Sequence, residues 1–349
     1  MPQTGWFDAH LDLAYLAETG RDMHALPADA RGRHQPVAVT LPALAGAGVR
    51  WCLGTIFTEA VDPNDPERET GAFAYDRSDT LAAWKAGMRQ IRLYHAWRDA
   101  GVIEMMPARG SAPPPRDGDG PLRLGVLMEG ADPIETPEQL DEWADAGVVA
   151  IGLTWATGSR YAGGNATPRA ADPGLTPAGR ELVARMDARG VVHDLSHLSQ
   201  RATGDLLSLT EAPVIASHSN ARALMGADED SKNQRHLADA TIREIARRGG
   251  VVGINLYSDF LAPGVRAPAR ATIADAVRHA EHVAEVAGSR RYVGLGSDAD
   301  GGFGADRLPV GIDAMGDLAR LAEALRDAGW SDDEVLGFTG RNWLAFWGW

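Results

Sequence analysis

Residues 191–200 read VVHDLSHLSQ, an apolar run that turns abruptly polar and carries two histidines and an aspartate across the change. A buried strand ordinarily closes in turn formers, so proton- or metal-binding groups at its end suggest a strand that delivers chemistry as well as packing. Seven more short apolar runs have the same character: GWFDAH (5–10), VRWCLGTIF (49–57), LRLGVLME (122–129), VVAIGLTW (148–155), PVIASH (213–218), VVGINLY (251–257) and YVGLGSD (292–298). Amphipathic stretches separate several of them, at Thr80 to Arg98, Pro177 to Ala188 and Ile273 to Val286. Another runs from Ile312 to Ala328 after the last, and apolar residues recur in all of them at intervals of three and four. Continuous apolar strands separated by helices predict a parallel sheet covered on its outer face. Eight such units predict the α/β class and a (β/α)8 TIM barrel, with a doubly wound open sheet as the competing arrangement.

The chain has 349 residues, 44% of them hydrophobic, enough to bury a large core. The low-complexity stretch GSAPPPRDGDG (110–120) stands just before a core strand and reads as a surface loop, so residues 1–349 are assigned to a single domain. Polar segments at Asp62 to Gly71 and Ala156 to Gly174 are expected to line one rim. Against 34 basic residues stand 48 acidic ones, and the net charge of −14 argues against nucleic acid as the main partner. Cys52 is the single cysteine, which excludes an internal disulfide and gives no sign of an oxidising compartment. The opening MPQTGWFDAHLDL holds neither a charged leader nor an apolar signal core, and no apolar run reaches membrane-spanning length. A cytoplasmic protein with no membrane partner is expected.

The strand ends share one set of side chains: His10 and Asp12, Glu129, His197, His218, Tyr257 and Asp298. In a barrel those ends face one rim, where this fold builds its active site. His10 and Asp12, two apart, point to the same side of an extended strand. Each residue has a plain alternative when taken singly: Glu129 as the cap of the next helix, His197 and His218 as core or capping histidines. Of ten histidines, however, three stand at strand ends with Glu129 and Asp298, and that convergence reads as a metal site. His193 lies deeper in its strand and reads as core, while His24, His34, His95, His279 and His282 fall in loops or helices. A catalytic zinc takes about three protein ligands and leaves a position for water. Five candidates with Glu129 shared therefore suit two divalent ions, with His10 and Asp12 on one and His197 and His218 on the other. Imidazole and carboxylate ligands without thiolate favour zinc, although manganese, cobalt or iron fit the same set.

The chain resembles the renal-type (membrane) dipeptidase family of the amidohydrolase superfamily from FDAHLD (7–12) to GRNWLAFW (340–347). GLTPAGRELVARMDARGVVHDLSHLS (174–199) and APVIASHSNARAL (212–224) are the most specific parts. The resemblance implies a (β/α)8 barrel, a bridged binuclear zinc centre and hydrolysis of dipeptides. It makes His10 and Asp12 ligands of the first metal, Glu129 the bridge, and His197 and His218 ligands of the second. Asp298, in GLGSDADG (294–301), falls on the family's proton-transferring aspartate. Arg235 falls on the arginine that holds the substrate's terminal carboxylate, and Tyr257 on a residue beside the substrate. Without the resemblance these two would read as a surface salt-bridge arginine and a core tyrosine. In the implied chemistry a hydroxide bridging the two metals attacks the scissile carbonyl, and Asp298 passes the hydroxide's proton to the departing amine. The forked grip of Arg235 then limits substrates to short peptides.

One departure stands out. Where well-known members of the family read LTH and present a histidine to the substrate and the tetrahedral intermediate, this chain reads LTW, with Trp155 in that place. An indole has one N–H to donate and no acceptor or charge. Loss of such a donor can cost roughly a hundred- to a thousand-fold in rate. Arg160, Tyr161 and Asn165 are the neighbours placed to compensate, and altered substrate preference rather than inactivity is expected. The family takes dipeptides with an L residue first and an L or D residue second, and some members open carbapenem-type β-lactams. Arg68 or Arg160 would favour an acidic substrate side chain, Glu67 or Glu69 a basic one. The alternatives are another amidohydrolase activity of lactam, lactone or deaminase type, or a metal-binding scaffold with lost catalysis. Arg235 and a glutamate bridge instead of a carbamylated lysine argue against the first, and the complete ligand set with Asp298 argues against the second. A small peptide is the expected partner. A homodimer stays open, because the C-terminal aromatics Trp343, Phe346, Trp347 and Trp349 pack either on the barrel or on a second subunit.

Overall fold

The computed structural model describes residues 5–61, 73–113, 120–226 and 234–349. Its principal strands are β1 (Trp6–Leu11), β2 (Val49–Phe57), β3 (Leu122–Glu129), β4 (Val148–Gly152), β5 (Val192–Asp194), β6 (Val214–Ile215), β7 (Val252–Ile254) and β8 (Val293–Leu295). They are parallel and hydrogen-bonded in the order β7-β8-β1-β2-β3-β4-β5-β6. A parallel bridge between Ala216 and Val252 joins the two ends of that order. The sheet therefore closes into the expected barrel and is not an open doubly wound sheet. A short strand, Ile103–Met105, pairs with β3 beside this path.

The helices follow local chemistry. Helix α1 (Thr80–Asp99) starts at Asp79, whose carboxylate accepts the N–H of Ala82. Helix α2 (Pro177–Arg189) has Thr176 as its N-cap, proline in its first turn, and Gly190 with φ +66° at its end. A capping box of Thr272 and Asp275 opens α3 (Ile273–Ala287). The stretch from Ile312 to Ala328 is helical over a shorter span than its periodicity suggests, with an α-helix only from Leu318 to Asp327 after one 3-10 turn. The Asp317 carboxylate accepts the N–H groups of Asp313 and Ala314 and so stops the helix short of Ile312.

Two layers of core result. One lies between strands and outer helices. The other fills the barrel at the N-terminal ends of its strands, where Phe7, Leu53, Leu127, Val149, Val192 and Ile215 meet the buried Trp343, Phe346 and Trp347. The C-terminal helix α4 (Asn342–Trp347) supplies these aromatics, so these three pack on the barrel. Trp343 donates its indole N–H to the carbonyl of Leu295 at 3.0 Å. Gly294 lies against the same ring, and a Cβ there would fall 2.3 Å from Trp343 Nε1. The lower end of the barrel is thus plugged, which leaves the upper end for chemistry. No helix among the described residues is long and apolar enough to cross a membrane.

Candidate metal centre

A bulge decides where β1 aims its side chains. Phe7 and Ala9 both belong to the interior cluster. Strict alternation would then turn His10 and Asp12 away from it. The register against β2 slips between the pairs Asp8↔Cys52 and Leu11↔Gly54, three residues against two, and the extra residue returns His10 and Asp12 to the interior. Asp8, fully buried, accepts the backbone N–H groups of His10 at 3.3 Å and Ser297 at 2.8 Å and the Ser297 hydroxyl, so it ties β1 to the segment after β8. Thr55 donates its hydroxyl to Asp12 Oδ1.

Glu129 closes β3 and is not a helix cap. His197, His218, Tyr257 and Asp298 lie beyond their strands, which stop at Asp194, Ile215, Ile254 and Leu295. Strand parity therefore does not govern them. His197 sits at φ +66° and Asp298 at φ +58°, a left-handed backbone that non-glycine residues adopt at a cost and that redirects the side chain. The loop after β4 holds His197 in this conformation. Gly164 makes an antiparallel bridge to Leu198, and the N–H of Asn165 donates to the carbonyl of His197 at 2.8 Å.

These residues meet. Glu129 Oε2 lies 3.4 Å from His10 Nε2, while Oε1 lies 3.0 Å from His197 Nε2 and 3.5 Å from His218 Nε2. His10 Nε2 is also 3.7 Å from Asp12 Oδ1 and 3.9 Å from Asp298 Oδ1. Two overlapping sets thus have ligand atoms close enough to share a cation: His10, Glu129 and His218, and His10, Asp12 and Asp298. Glu129 Oε2 faces His10 and Oε1 faces His197 and His218, while the first of these sets joins His10 to His218 across that division and His197 falls in neither.

The hydrogen bonds behind the imidazoles set their tautomers. His197 Nδ1 faces Asn165 Oδ1 at 3.0 Å, an acceptor, and must donate to it. Ser217 gives its hydroxyl proton to Asp194 Oδ2, so His218 Nδ1, 2.7 Å from the same hydroxyl, donates as well. Both Nε2 atoms are then bare lone pairs, only 3.0 Å apart and beside a carboxylate oxygen. His10 Nε2 is buried without a hydrogen-bond partner. The facing lone pairs of His197 and His218 repel, and a cation relieves them.

Protonation follows the same shortage of positive charge. Burial disfavours charge on His10, yet Glu129, Asp12 and Asp298 outweigh it and push the imidazole up to about 10. Burial, with Glu129 as a like charge, lifts Asp12 to about 6. Burial also lifts Asp298 to about 7, aided by Asp12 and Glu129. Burial and then Arg235 lower His197 to about 4. Neutral His197 and His218 beside the raised carboxyls of Asp12 and Asp298 suit divalent cations, and a cation would take the place of the proton that His10 holds, so the residues fit a metal centre.

Arg235 is no surface arginine. It is buried, donates Nη1–H to Ser219 Oγ at 2.8 Å and Nη2–H to the carbonyl of His218 at 2.6 Å, and leaves Nε without a partner. Its guanidinium lies over the Phe260 ring at 5.3 Å, and that ring also packs edge-on against Tyr257 at 4.9 Å. Tyr257 stacks on Phe303 at 4.5 Å, so the aromatic shelf beside Arg235 has three members. Trp155, 39% exposed, continues a second row: Tyr15 against Phe57 at 5.1 Å, Phe57 against Trp155 at 5.6 Å, Trp155 against His197 at 6.0 Å. The neighbours expected to compensate for Trp155 are engaged elsewhere. Tyr161 donates its hydroxyl to the carbonyl of Ile134, Arg160 reaches the carbonyl of Glu135, and Asn165 orients His197. His193 is core, 2.7 Å from Asp187 through Nε2. Arg68, Glu67 and Glu69 lie outside the described residues.

Sequence reasoning missed Asp8, Asp194, Ser217 and Asn255, the groups behind the centre. Asp8 and Asp194 stand in the quoted strands, where a buried acid close to a ligand was the available signal.

The sequence profile described as membrane dipeptidase (peptidase family M19) matches residues 1–348. Among curated proteins, two uncharacterized dipeptidases of Schizosaccharomyces pombe are each 32% identical, over 61% and 66% of this chain. The match spans about half the length of those relatives, 49% and 53%. An uncharacterized protein of Klebsiella pneumoniae is 32% identical over 65% of this chain and 81% of its own length. A metallopeptidase of Rhodobacter sphaeroides, solved with a phosphinate mimic of L-Ala-D-Ala, has a TM-score of 0.79 at 24% identity, covering 99% of this chain and 98% of that one. A dipeptidase of family M19 has a TM-score of 0.77 at 24% identity, covering 99% and 100%. The two structures share the fold, and the profile match, which runs almost from end to end, shows that the chain belongs to the membrane dipeptidase family.

Proposed function

We propose that this protein is a metal-dependent dipeptidase that hydrolyses L-Xaa-L-Xaa or L-Xaa-D-Xaa dipeptides in the cytoplasm. The observation that carries the reading is the convergence of three imidazole Nε2 atoms, from His10, His197 and His218, on the two oxygens of the buried Glu129. We assign two zinc ions to these residues with Asp12. Bound there, divalent ions act as Lewis acids toward the scissile carbonyl and lower the pKa of a water molecule.

The chain's own residues supply the remaining steps. Arg235 offers a buried guanidinium to the free carboxylate of the substrate and so fixes which peptide bond lies over the centre. Longer peptides lack a carboxylate at that distance. Asp298 takes a proton from the attacking water as its oxygen bonds to the carbonyl carbon. It returns that proton to nitrogen as the C–N bond breaks, and the products are a carboxylic acid and a free amine. Tyr257 with Phe260 and Phe303 forms one apolar shelf for the substrate, and Trp155 with Phe57 forms another.

The test is a panel of L,L- and L,D-dipeptides offered to zinc-loaded protein, with Asp298→Asn as the control and metal content measured on both. Turnover that the substitution abolishes, at two metals per chain, supports the assignment. Metal at that stoichiometry with no turnover on any dipeptide would overturn it.

A further inference from the structure

Asn255 follows β7 directly and is fully buried, and every polar atom of its side chain is engaged. Its Oδ1 accepts the backbone N–H of Tyr257 at 2.7 Å. A backbone N–H can only donate, so the amide cannot flip, and Nδ2 must face the other way. There it donates to Asp298 Oδ2 at 2.9 Å. The backbone of Asn255 is held in turn by Asn220, which accepts the Asn255 N–H at 3.1 Å and donates Nδ2–H to the Asn255 carbonyl at 3.0 Å. Asp298 is thereby divided into two unlike oxygens. Oδ2 is clamped, while Oδ1 lies 3.9 Å from His10 Nε2. Space around Oδ1 is reserved too, because a Cβ on Gly301 would fall 1.9 Å from it.

We propose that Asn255 is a positioning residue that orients Asp298 so that Oδ1 is the oxygen exchanging the proton. This rests on the reading of Asp298 as the proton carrier. A donor at Oδ2 holds the carboxylate in one rotamer against the left-handed backbone beneath it. Without that donor the carboxylate rotates, and the proton has no fixed path between water and amine. Arg235 holds the substrate carboxylate, and His10, Asp12, Glu129, His197 and His218 hold the metal, so the loss falls chiefly on kcat.

The experiment compares Asn255→Ala, the volume-conserving Asn255→Leu, Asp298→Asn and the double variant Asn255→Ala/Asp298→Asn in zinc-loaded protein. The expected result is a fall in kcat of about a hundredfold for both Asn255 variants, within the range of a proton-transfer contribution, with KM within about threefold. Metal content stays unchanged, and Asn255→Ala costs nothing further in the Asp298→Asn background. A kcat unchanged in the Asn255 variants, a fall that tracks lost metal, or an equal further loss from the residual rate of Asp298→Asn in the double variant overturns the inference while Asp298→Asn stays far below the unsubstituted enzyme. An active Asp298→Asn enzyme overturns instead the reading on which it rests.

Discussion

His197 Nε2 and His218 Nε2 face one another at 3.0 Å, and neither carries a proton, because each imidazole spends its hydrogen on the far side, on Asn165 Oδ1 and on Ser217 Oγ. A cation bound between such mutually repelling acceptors relieves them, so metal-free protein should be the less stable form. Zinc at about a hundred times its dissociation constant should stabilise the fold by about 2.7 kcal/mol. Thermal unfolding with and without a chelator measures this, and His218→Ala should remove most of the zinc-dependent rise. Identical unfolding in both conditions would contradict a metal site here.

Behind His218 stands a relay. Ser217 donates its hydroxyl hydrogen bond to Asp194 and accepts one from His218 Nδ1–H, which keeps Nε2 free for a metal. Ser217→Ala should release the ring and weaken zinc binding about ten- to a hundredfold, the usual effect of removing such a support. Competition with a chromophoric chelator reads the affinity directly. An unchanged affinity would show that packing alone orients His218.

The barrel was legible because eight apolar runs recur with helices between them, and periodicity reports which face a strand buries. The candidate ligands were legible as residue types at the ends of apolar runs. Their geometry was not, for two physical reasons. A one-residue bulge reverses the parity of β1, so the alternation that seems to place His10 and Phe7 on opposite sides does not hold. His197 and Asp298 take left-handed backbone conformations that no hydrophobic pattern encodes. The supporting groups Asp194, Ser217 and Asn255 act through hydrogen bonds between segments far apart in sequence. Arg235 illustrates the same limit, since nothing local distinguishes a buried arginine anchored on Ser219 and the His218 carbonyl from one on the surface.

Trp155 puts an aromatic face beside His197, not a hydrogen-bonding histidine. If that face is a wall for the substrate, Trp155→Ala should raise KM about tenfold, equivalent to about 1.4 kcal/mol of binding, and leave kcat within about threefold. Steady-state kinetics on the best dipeptide separates the two parameters. A loss confined to kcat would instead make the indole N–H a donor to the transition state.

His279 lies away from the metal centre and gives the fold a pH dependence of its own. Fully buried on α3, it accepts the N–H of Ala221 at Nδ1 and donates Nε2–H to the carbonyl of Leu261, both at 3.1 Å. Protonation would set a hydrogen on Nδ1 against the Ala221 N–H, two donors facing each other with no water between. Burial leads the lowering of its pKa, to about 4 from 6.5. Between those values the unfolded chain binds a proton that the folded chain refuses, so stability is complete above pH 6.5 and falls as pH drops toward 4. Over the whole window the loss is about 3 kcal/mol. Asn and Gln each reproduce only half of the two-sided bond, so His279→Gln, which keeps the donor toward Leu261, should be less stable at pH 7 yet lose less on acidification. Metal release also weakens the protein in acid, but it does so in both proteins. The difference between their urea-unfolding free energies from pH 7 to pH 5 therefore isolates His279. That difference should narrow as pH falls; one that stays constant would mean that His279 remains neutral in the unfolded chain too, or is charged in both states.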